Sequence, residues 1–552
     1  MRTNYTGHVT QSEWRWAILM SCALALLAFL PFLWVLVSGV ADEGWSFMGA
    51  LHNPYDSAVH LAQVFQGNQD FWQTQILFTP EAHDSALIDP LYAFLGQIAR
   101  ITSLSPIVIF HMARVGAGIC MYMAFYQLAA NIWSKLRTRR IFFVVLSVGA
   151  GFGWLIAPLT GNTSLLDLSY PGVYPFYSSL VNVHLPIALA GLALLASVCI
   201  PILRPGKPEF PTVQNGGVLV FTISLILVFV DPLAFIPLAL GFLFNMLLIW
   251  YLRRGYIISQ ANWALWLIVP ALPMILYYVL LFQNNTVVGE IWQQQHTDPP
   301  VSLIILVLSL GIPLILALPG LYRGVRRFEQ DGDQFMLMWL ALMLILTYLP
   351  TLVQQSFLMG LMIPIAYFAT RAIEDFWFGY IRRRWRMQLM IAFVPILAAS
   401  NIMMTILPIM IIARSDDAEI LLQTDYVAAF DWLQGRTNGQ DVILASPQAS
   451  LWIPSWLGGR VVYGHPDMTL DAHNKETAVR QWYSADDVDK CDVGFLDGIY
   501  TGDERAYPVT YVLYGPEERL LGEAACRALL TPLAEFGDVQ VYAYLPDMLP
   551  ER

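Results

Sequence analysis

From Trp14 to Ala413 the sequence keeps returning to apolar runs long enough to cross a lipid bilayer, and beyond Ala413 it stops doing so. A spanning helix needs about 20 mostly apolar residues. On that rule about eleven spans are read, at 14–40, 105–131, 141–158, 183–203, 218–231, 233–252, 262–282, 301–319, 335–353, 357–379 and 388–412. Composition agrees. Charged residues are 13% and hydrophobic residues 57% of the 552-residue chain, against roughly 25% charged in an ordinary soluble domain. The expected fold class is therefore an α-helical polytopic membrane protein. Arg2 precedes the first span, Arg15 opens it, and no small-residue cleavage site follows a short apolar core, so it reads as an uncleaved anchor.

Basic residues set the expected orientation. Clusters stand at Lys135, Arg137, Arg139 and Arg140; at Arg204 and Lys207; at Arg253 and Arg254; at Arg323, Arg326 and Arg327; and at Arg382 to Arg384 with Arg386. Every second loop carries one, while loops 41–99, 159–182, 283–300 and 354–356 have no Lys or Arg at all. Because Lys and Arg favour the cytoplasmic side, the N-terminus is placed inside and the end of the chain outside, in a multi-pass protein of the plasma membrane. Two domains are expected: a membrane domain over 1–414, including a first outer loop at 41–104, and an extracytoplasmic domain over 415–552.

The second domain reads as a small α/β unit. Strands are expected at 441–446, 460–463, 509–514 and 539–545, with helical stretches at 425–433, 472–483 and 516–531. It has no glycine-rich phosphate loop. Cys491 and Cys526 both lie here and would pair in an oxidising compartment; two unrelated thiols is the alternative. No basic stripe with aromatics suggests nucleic acid binding.

The polar residues at the outer ends of the spans are the candidates for chemistry. In the first outer loop, Asp56, His60, Gln63 and Gly67 share one face of an amphipathic helix and Ala58, Leu61, Ala62 and Phe65 another. Glu43, Glu81 and Asp89 lie in the same loop; His184 opens the fourth span, Asp231 ends the fifth, and Gln354 and Gln355 precede the tenth. An exposed loop carboxylate is most often only solvated, and Asp231-Pro232 equally marks a helix end. Arg114 sits inside a span, where a cation is costly and therefore functional or tightly paired. Asp56 and His60, at i and i+4, would offer two ligands to a divalent metal, too few to define a site. Arg371 is expected to pair locally with Glu374 and Asp375. Trp452, Trp456 and Tyr463 are either sugar-stacking faces or core.

The loop SFMGALHNPYDSAVHLAQVFQGNQDFWQTQILFTPE resembles the first extracytoplasmic loop of bacterial GT-C-type glycosyltransferases, the superfamily of protein mannosyltransferases and aminoarabinose transferases, in which an Asp opens a loop helix soon after the first span. Asp56 matches that Asp. Segments FHMARVGAG (110–118), NVHLPIALAGL (182–192), EIWQQQHTDPP (290–300) and VILASPQASLWIPSWLGGRVVYGHPDMTLDAHNK (442–475) resemble one branch of such proteins, so the likeness spans nearly the whole chain. It departs at Gln355 and Ser356, where that branch carries an Arg pair, which removes a contact to the donor phosphate.

The resemblance implies a membrane glycosyltransferase of the cell envelope. The donor would be a sugar linked to polyprenyl phosphate, and the acceptor an extracytoplasmic glycan, lipid or protein. Asp56 would be the general base, and Arg114 and His184 would meet the donor phosphate. Glu43, His60, Glu81, Asp89, Asp231, Gln354 and Gln355 are further cavity candidates. The competing readings are a lipid or glycan transporter or flippase, and a non-catalytic glycan-binding membrane protein of the same fold.

Overall fold

A computed structural model describes residues 7–38, 44–203, 216–253, 258–295, 299–328, 332–349, 354–412, 420–499 and 505–544. Among these residues eight helices are long and apolar enough to cross a membrane: Gln11–Val37 (α1), Pro106–Ile132 (α4 below), Leu136–Thr160, His184–Leu203, Pro232–Tyr251, Ala261–Asn284, Leu303–Arg327 and Gln354–Tyr380. Arg386–Leu397 and Ala399–Ile412 form a pair bent by 45° that would make a ninth, and Gly216–Val230 and Asp333–Tyr348 are shorter apolar helices. The expected spans at 218–231 and 335–353 are thus helices of 15 and 16 residues, shorter than a full crossing.

The chain divides into two compact units. The helical unit comprises Met1–Leu30, Met112–Tyr278 and Asp298–Leu407; the mixed unit comprises Pro31–His111, Val279–Thr297 and Pro408–Arg552. The first long loop, which the sequence groups with the membrane part, therefore clusters with the C-terminal sheet.

In the helical unit two helices are interrupted next to one another. The backbone is extended at Gly149, and Gly311 has φ +41° inside Leu303–Arg327. A Cβ on Gly151 would run into the Ser309 carbonyl, and one on Gly311 into Gly151, so the two chains cross where only glycine fits. The freed amides are taken up: Ala150 N–H donates to Leu397 O and Phe152 N–H to Leu308 O. Irregular backbone at such depth is tolerated when it is buried in protein and hydrogen-bonded. Three ion pairs tie helix ends together. Arg139 meets Glu13, Arg137 meets Glu374 and Arg323 meets Asp375. Arg371 instead reaches Asp333 at 3.4 Å and the Tyr367 hydroxyl, so the local pairing expected with Glu374 and Asp375 is not what these acids do.

The mixed unit carries two sheets. Strand β1 (Trp45–Phe47) pairs antiparallel with β2 (Leu421–Gln423). Five more strands, β3 (Val442–Leu444), β4 (Arg460–Val461), β5 (Val509–Tyr514), β6 (Thr531–Phe536) and β7 (Val539–Ala543), form a mixed sheet in the order β4-β3-β5-β7-β6. Strands β4, β3 and β5 run parallel, whereas β7 is antiparallel to both β5 and β6. Helices Thr424–Gln434 and Ala472–Ser484 appear where expected. The stretch 516–531 does not become one helix. It forms two short turns, Pro516–Arg519 and Ala525–Leu529, and then the edge strand β6. Cys491 and Cys526 are joined by a disulfide, with α-carbons 5.6 Å apart.

Candidate active site

Asp56 lies in the first turn of α2 (Pro54–Asn68), a helix opened by proline at its first position and by Asn53 in a left-handed conformation. Proline suits that position because its missing N–H would have had no partner there. The inner face of α2, with Ala58, Leu61, Ala62 and Phe65, is buried, and Asp56 is exposed. Its carboxylate accepts a hydrogen bond from the Asn53 side chain. One turn on, the His60 ring stacks on Tyr92 with centroids 4.1 Å apart, and its Nδ1 lies 3.4 Å from Gln63 Oε1. Gln63 in turn donates to Asp89 at 3.5 Å. Asp89 thus joins the polar face of α2 through Gln63, just ahead of helix α3 (Pro90–Thr102).

The sequence did not foresee what stands beside this helix. His465, after β4, is 1% exposed and edge-on to Tyr55 and Phe78, with centroids at 5.6 and 5.7 Å. Its Nδ1 accepts from the amides of Asp467 at 2.9 Å and Met468 at 3.1 Å. That fixes the tautomer: the ring proton is on Nε2, a buried atom with no hydrogen-bond partner among the described residues. Burial pushes the His465 imidazole down to about 4, while the nearby Asp56 carboxylate pulls it up and His60 pulls it down. An uncharged donor therefore stands within electrostatic reach of an exposed carboxylate. Tyr463, two residues earlier, is bonded to Glu476, and burial together with that carboxylate raises its hydroxyl well above the ordinary range.

The remaining candidates separate. Glu81 is 1% exposed and forms a buried ion pair with Lys475, while Thr79 also donates to its carboxylate. A carboxylate so enclosed is a fastener, not a base open to substrate. Arg460, also 1% exposed, gathers the carbonyls of Ile76, Thr79 and Glu81 and the Gln75 side chain around it. Asp231 Oδ1 accepts from Ala234 N–H at 2.9 Å, the helix-end role. Gln354 donates to Leu349 O at 2.8 Å, and Gln355 is half-buried. Glu43 lies outside the described residues. Trp452 is fully buried and Tyr463 is 7% exposed, so both pack as core.

In the helical unit, Arg114 is 0% exposed, and its Nη1 donates to Ser179 O at 2.8 Å and Leu180 O at 2.7 Å. These carbonyls end the helix Pro175–Val181, where a cation is favoured by the helix dipole. This is tight pairing with backbone. His184 is half-buried at the first residue of its helix. A polar cluster that the sequence reading passed over lies around Asp167, which is 1% exposed and accepts from Gly153 N–H at 2.9 Å and Ser400 Oγ at 2.6 Å. It pins the chain beside the interrupted helices. No group of three or more His, Cys, Asp or Glu suited to a metal ion occurs among the described residues.

No protein-family model matches the chain, and no curated protein sequence matches it. Solved structures do share its fold. One is the Archaeoglobus fulgidus oligosaccharyltransferase tethered with an acceptor peptide containing the NVT sequon, with a TM-score of 0.51 and 12% identity over 97% of this chain and 74% of that one. Another is ArnT from Cupriavidus metallidurans bound to undecaprenyl phosphate, with a TM-score of 0.53 and 11% identity over 98% of this chain and 100% of that one. Both are GT-C glycosyltransferases. At these identities the likeness defines the fold: this is a multi-pass membrane protein with a GT-C-like architecture and a C-terminal sheet domain.

Proposed function

We propose that the protein is a membrane glycosyltransferase that takes a sugar from a polyprenyl-phosphate donor and passes it to an acceptor hydroxyl outside the cytoplasm. The observation that carries this reading is Asp56, exposed at the start of α2 and within electrostatic reach of the buried His465 imidazole, in a chain that shares its fold over 97–98% of its own length with two glycosyltransferases. The acceptor oxygen forms a bond to the anomeric carbon as the bond from that carbon to the phosphate oxygen breaks. The hydroxyl proton goes to Asp56, and polyprenyl phosphate leaves with the bonding electron pair. Arg114 holds the helix Pro175–Val181 through its carbonyls, which leaves His184 as the sequence candidate for the donor phosphate. The sidedness rests on the alternation of basic loops, and the Cys491–Cys526 disulfide supports an oxidising compartment for the sheet domain.

The test is transfer by purified protein in nanodiscs, supplied with radiolabelled polyprenyl-phosphate hexoses and cell-envelope glycan as acceptor. Asp56→Asn keeps the shape and removes the basicity. It should lower transfer by roughly 100- to 10,000-fold while the melting temperature stays put. Asp84→Asn, at an exposed carboxylate of the same loop, should leave transfer unchanged. Equal rates for Asp56→Asn and the parent would end the general-base assignment. Protein that binds the lipid donor yet moves it across the bilayer without cleaving it would favour the transporter reading.

A further inference from the structure

Three arginines crowd the start of one membrane helix, and among the described residues the chain supplies an acid to two of them. The helix is α5 (Leu136–Val148), which opens LRTRR and has no acidic residue in its first turn. Cations are disfavoured there, because the amides at a helix N-terminus already carry positive charge. Glu13 and Glu374 come from elsewhere to compensate: Arg139 pairs with Glu13 and Arg137 with Glu374. Arg140 has neither an acid nor a hydrogen-bond acceptor for its guanidinium among the described residues. Its contact is the face of Trp16, 4.6 Å from the ring centroid, and its Nε is buried without a partner.

A second uncompensated cation adjoins that ring. Arg15 precedes Trp16 in α1, is exposed, and its side chain enters no ion pair or hydrogen bond among the described residues. The Glu13–Arg139 pair ties the start of α1 to the start of α5, so two helix N-termini open side by side. Trp16 packs there on Tyr126 of α4 at 5.7 Å and on Phe143 of α5 at 5.4 Å. Both α1 and α5 belong to membrane-crossing helices, so this corner lies at a bilayer boundary, where tryptophan concentrates. From Arg15 to Val37, α1 rises roughly 33 Å. The corner is thus about one hydrocarbon core away from the end of α1 that leads to the first outer loop.

We propose that this corner binds the headgroup of an anionic phospholipid, its phosphodiester held between Arg15 and Arg140 and turned to the first amides of α5. The neighbouring leaflet carries phosphodiesters at this depth, and basic pockets between membrane helices take anionic headgroups. A zwitterionic headgroup brings an ammonium group of its own, which two uncompensated arginines repel. An anionic headgroup brings none. The bound lipid completes the junction of α1 with α5 that Glu13 begins.

The experiment contains neither sugar donor nor acceptor, so its outcome is separate from that of the transfer assay. Delipidated full-length protein in detergent is titrated with phosphatidylglycerol, and bound lipid is counted by native mass spectrometry. Arg15→Gln with Arg140→Gln should weaken the first binding step roughly 10- to 30-fold. Arg15→Gln alone, at an exposed site where substitutions rarely unfold a protein, should weaken it severalfold. Arg15→Lys with Arg140→Lys should keep most of the binding, which separates lost charge from lost structure. Arg326→Gln with Arg384→Gln removes the same charge from exposed sites elsewhere and should leave the first step unchanged. Phosphatidylglycerol should raise the melting temperature of the parent, and phosphatidylethanolamine with inorganic phosphate should not. If the pair at 326 and 384 loses as much binding as the pair at 15 and 140, the attraction is general and the proposal falls. Inorganic phosphate that reproduces the effect of phosphatidylglycerol would overturn the assignment to a lipid.

Discussion

The two units satisfy buried positive charge across different spans of chain, and the buried pair of Arg139 with Glu13 in the helical unit joins residues only 126 apart. In the helical unit, Arg114 is satisfied by two carbonyls at the end of a short helix, 65 and 66 residues along the chain. In the mixed unit, Lys475 is satisfied by the charge of Glu81, 394 residues away, and Arg460 by loop carbonyls up to 384 residues away. Membrane helices hold their course through their own hydrogen bonds and their length, so a buried cation there has only to fasten a neighbour. Both units are assembled from three stretches of chain, and in the mixed unit buried charge joins stretches nearly 400 residues apart.

That contrast can be broken by mutation. Lys475→Met leaves the Glu81 carboxylate buried without its cation, which typically costs about 3–5 kcal/mol. Thermal melting followed by proteolysis within 420–544 should show the loss, and the double change Lys475→Met with Glu81→Met should recover most of it. Arg114→Met leaves only neutral carbonyls behind and should cost about 1–3 kcal/mol, seen as a smaller fall in the melting of the whole protein. A larger loss for Arg114→Met than for Lys475→Met would reverse the comparison.

The mixed unit should also be the acid-sensitive one. Burial pushes both His83 and His465 down to about 4. Around His83, Arg460 adds to the depression, while Asp84 and a hydrogen bond to Glu81 O oppose it; around His465, His60 adds and Asp56 opposes. Unfolded, each would titrate near 6.5. The unfolded chain then binds more protons as pH falls below 6.5, so the stability these histidines contribute is whole above that value and is lost on the way down to about 4. Between pH 7 and 5 the loss is roughly 1–2 kcal/mol for each, and His465→Gln should remove half of the slope in a melting series across that range. The smallest effect is expected at the exposed pair of Asp70 and Arg100. Asp70→Asn should shift stability by less than about 1 kcal/mol and should vanish as a difference at high salt.

The same contrast governs what the sequence disclosed. The membrane helices were legible because an apolar run is a local signal. Strands β3, β4, β5 and β7 fall within or close to their expected bounds because alternation and β-branched runs are local too. Strand β6 was hidden by Pro532, which a sheet accepts only at an edge, and by Glu535, a weak strand former. Asp56 was legible as the residue opening an amphipathic helix. The motif containing His465 was noticed as a likeness, yet its role was invisible, since its neighbour Asp56 is about 400 residues earlier in a chain where no local pattern records such distances. Glu81 looked like any loop carboxylate for the same reason. Only the partner, Lys475, tells a fastener from a base.

The pairing of β1 with β2 has a consequence in time. Trp45, Ser46 and Phe47 are made early, and the strand that closes on them, Leu421 to Gln423, is made late. At a synthesis rate of about 5–20 residues per second, the roughly 370 residues between them take on the order of half a minute. For that interval the ribosome has delivered one half of a ladder without the other, and an unpaired strand edge is an invitation to the wrong partner. The newborn loop must wait, and how it is kept from pairing elsewhere is a question of biogenesis that the finished fold poses.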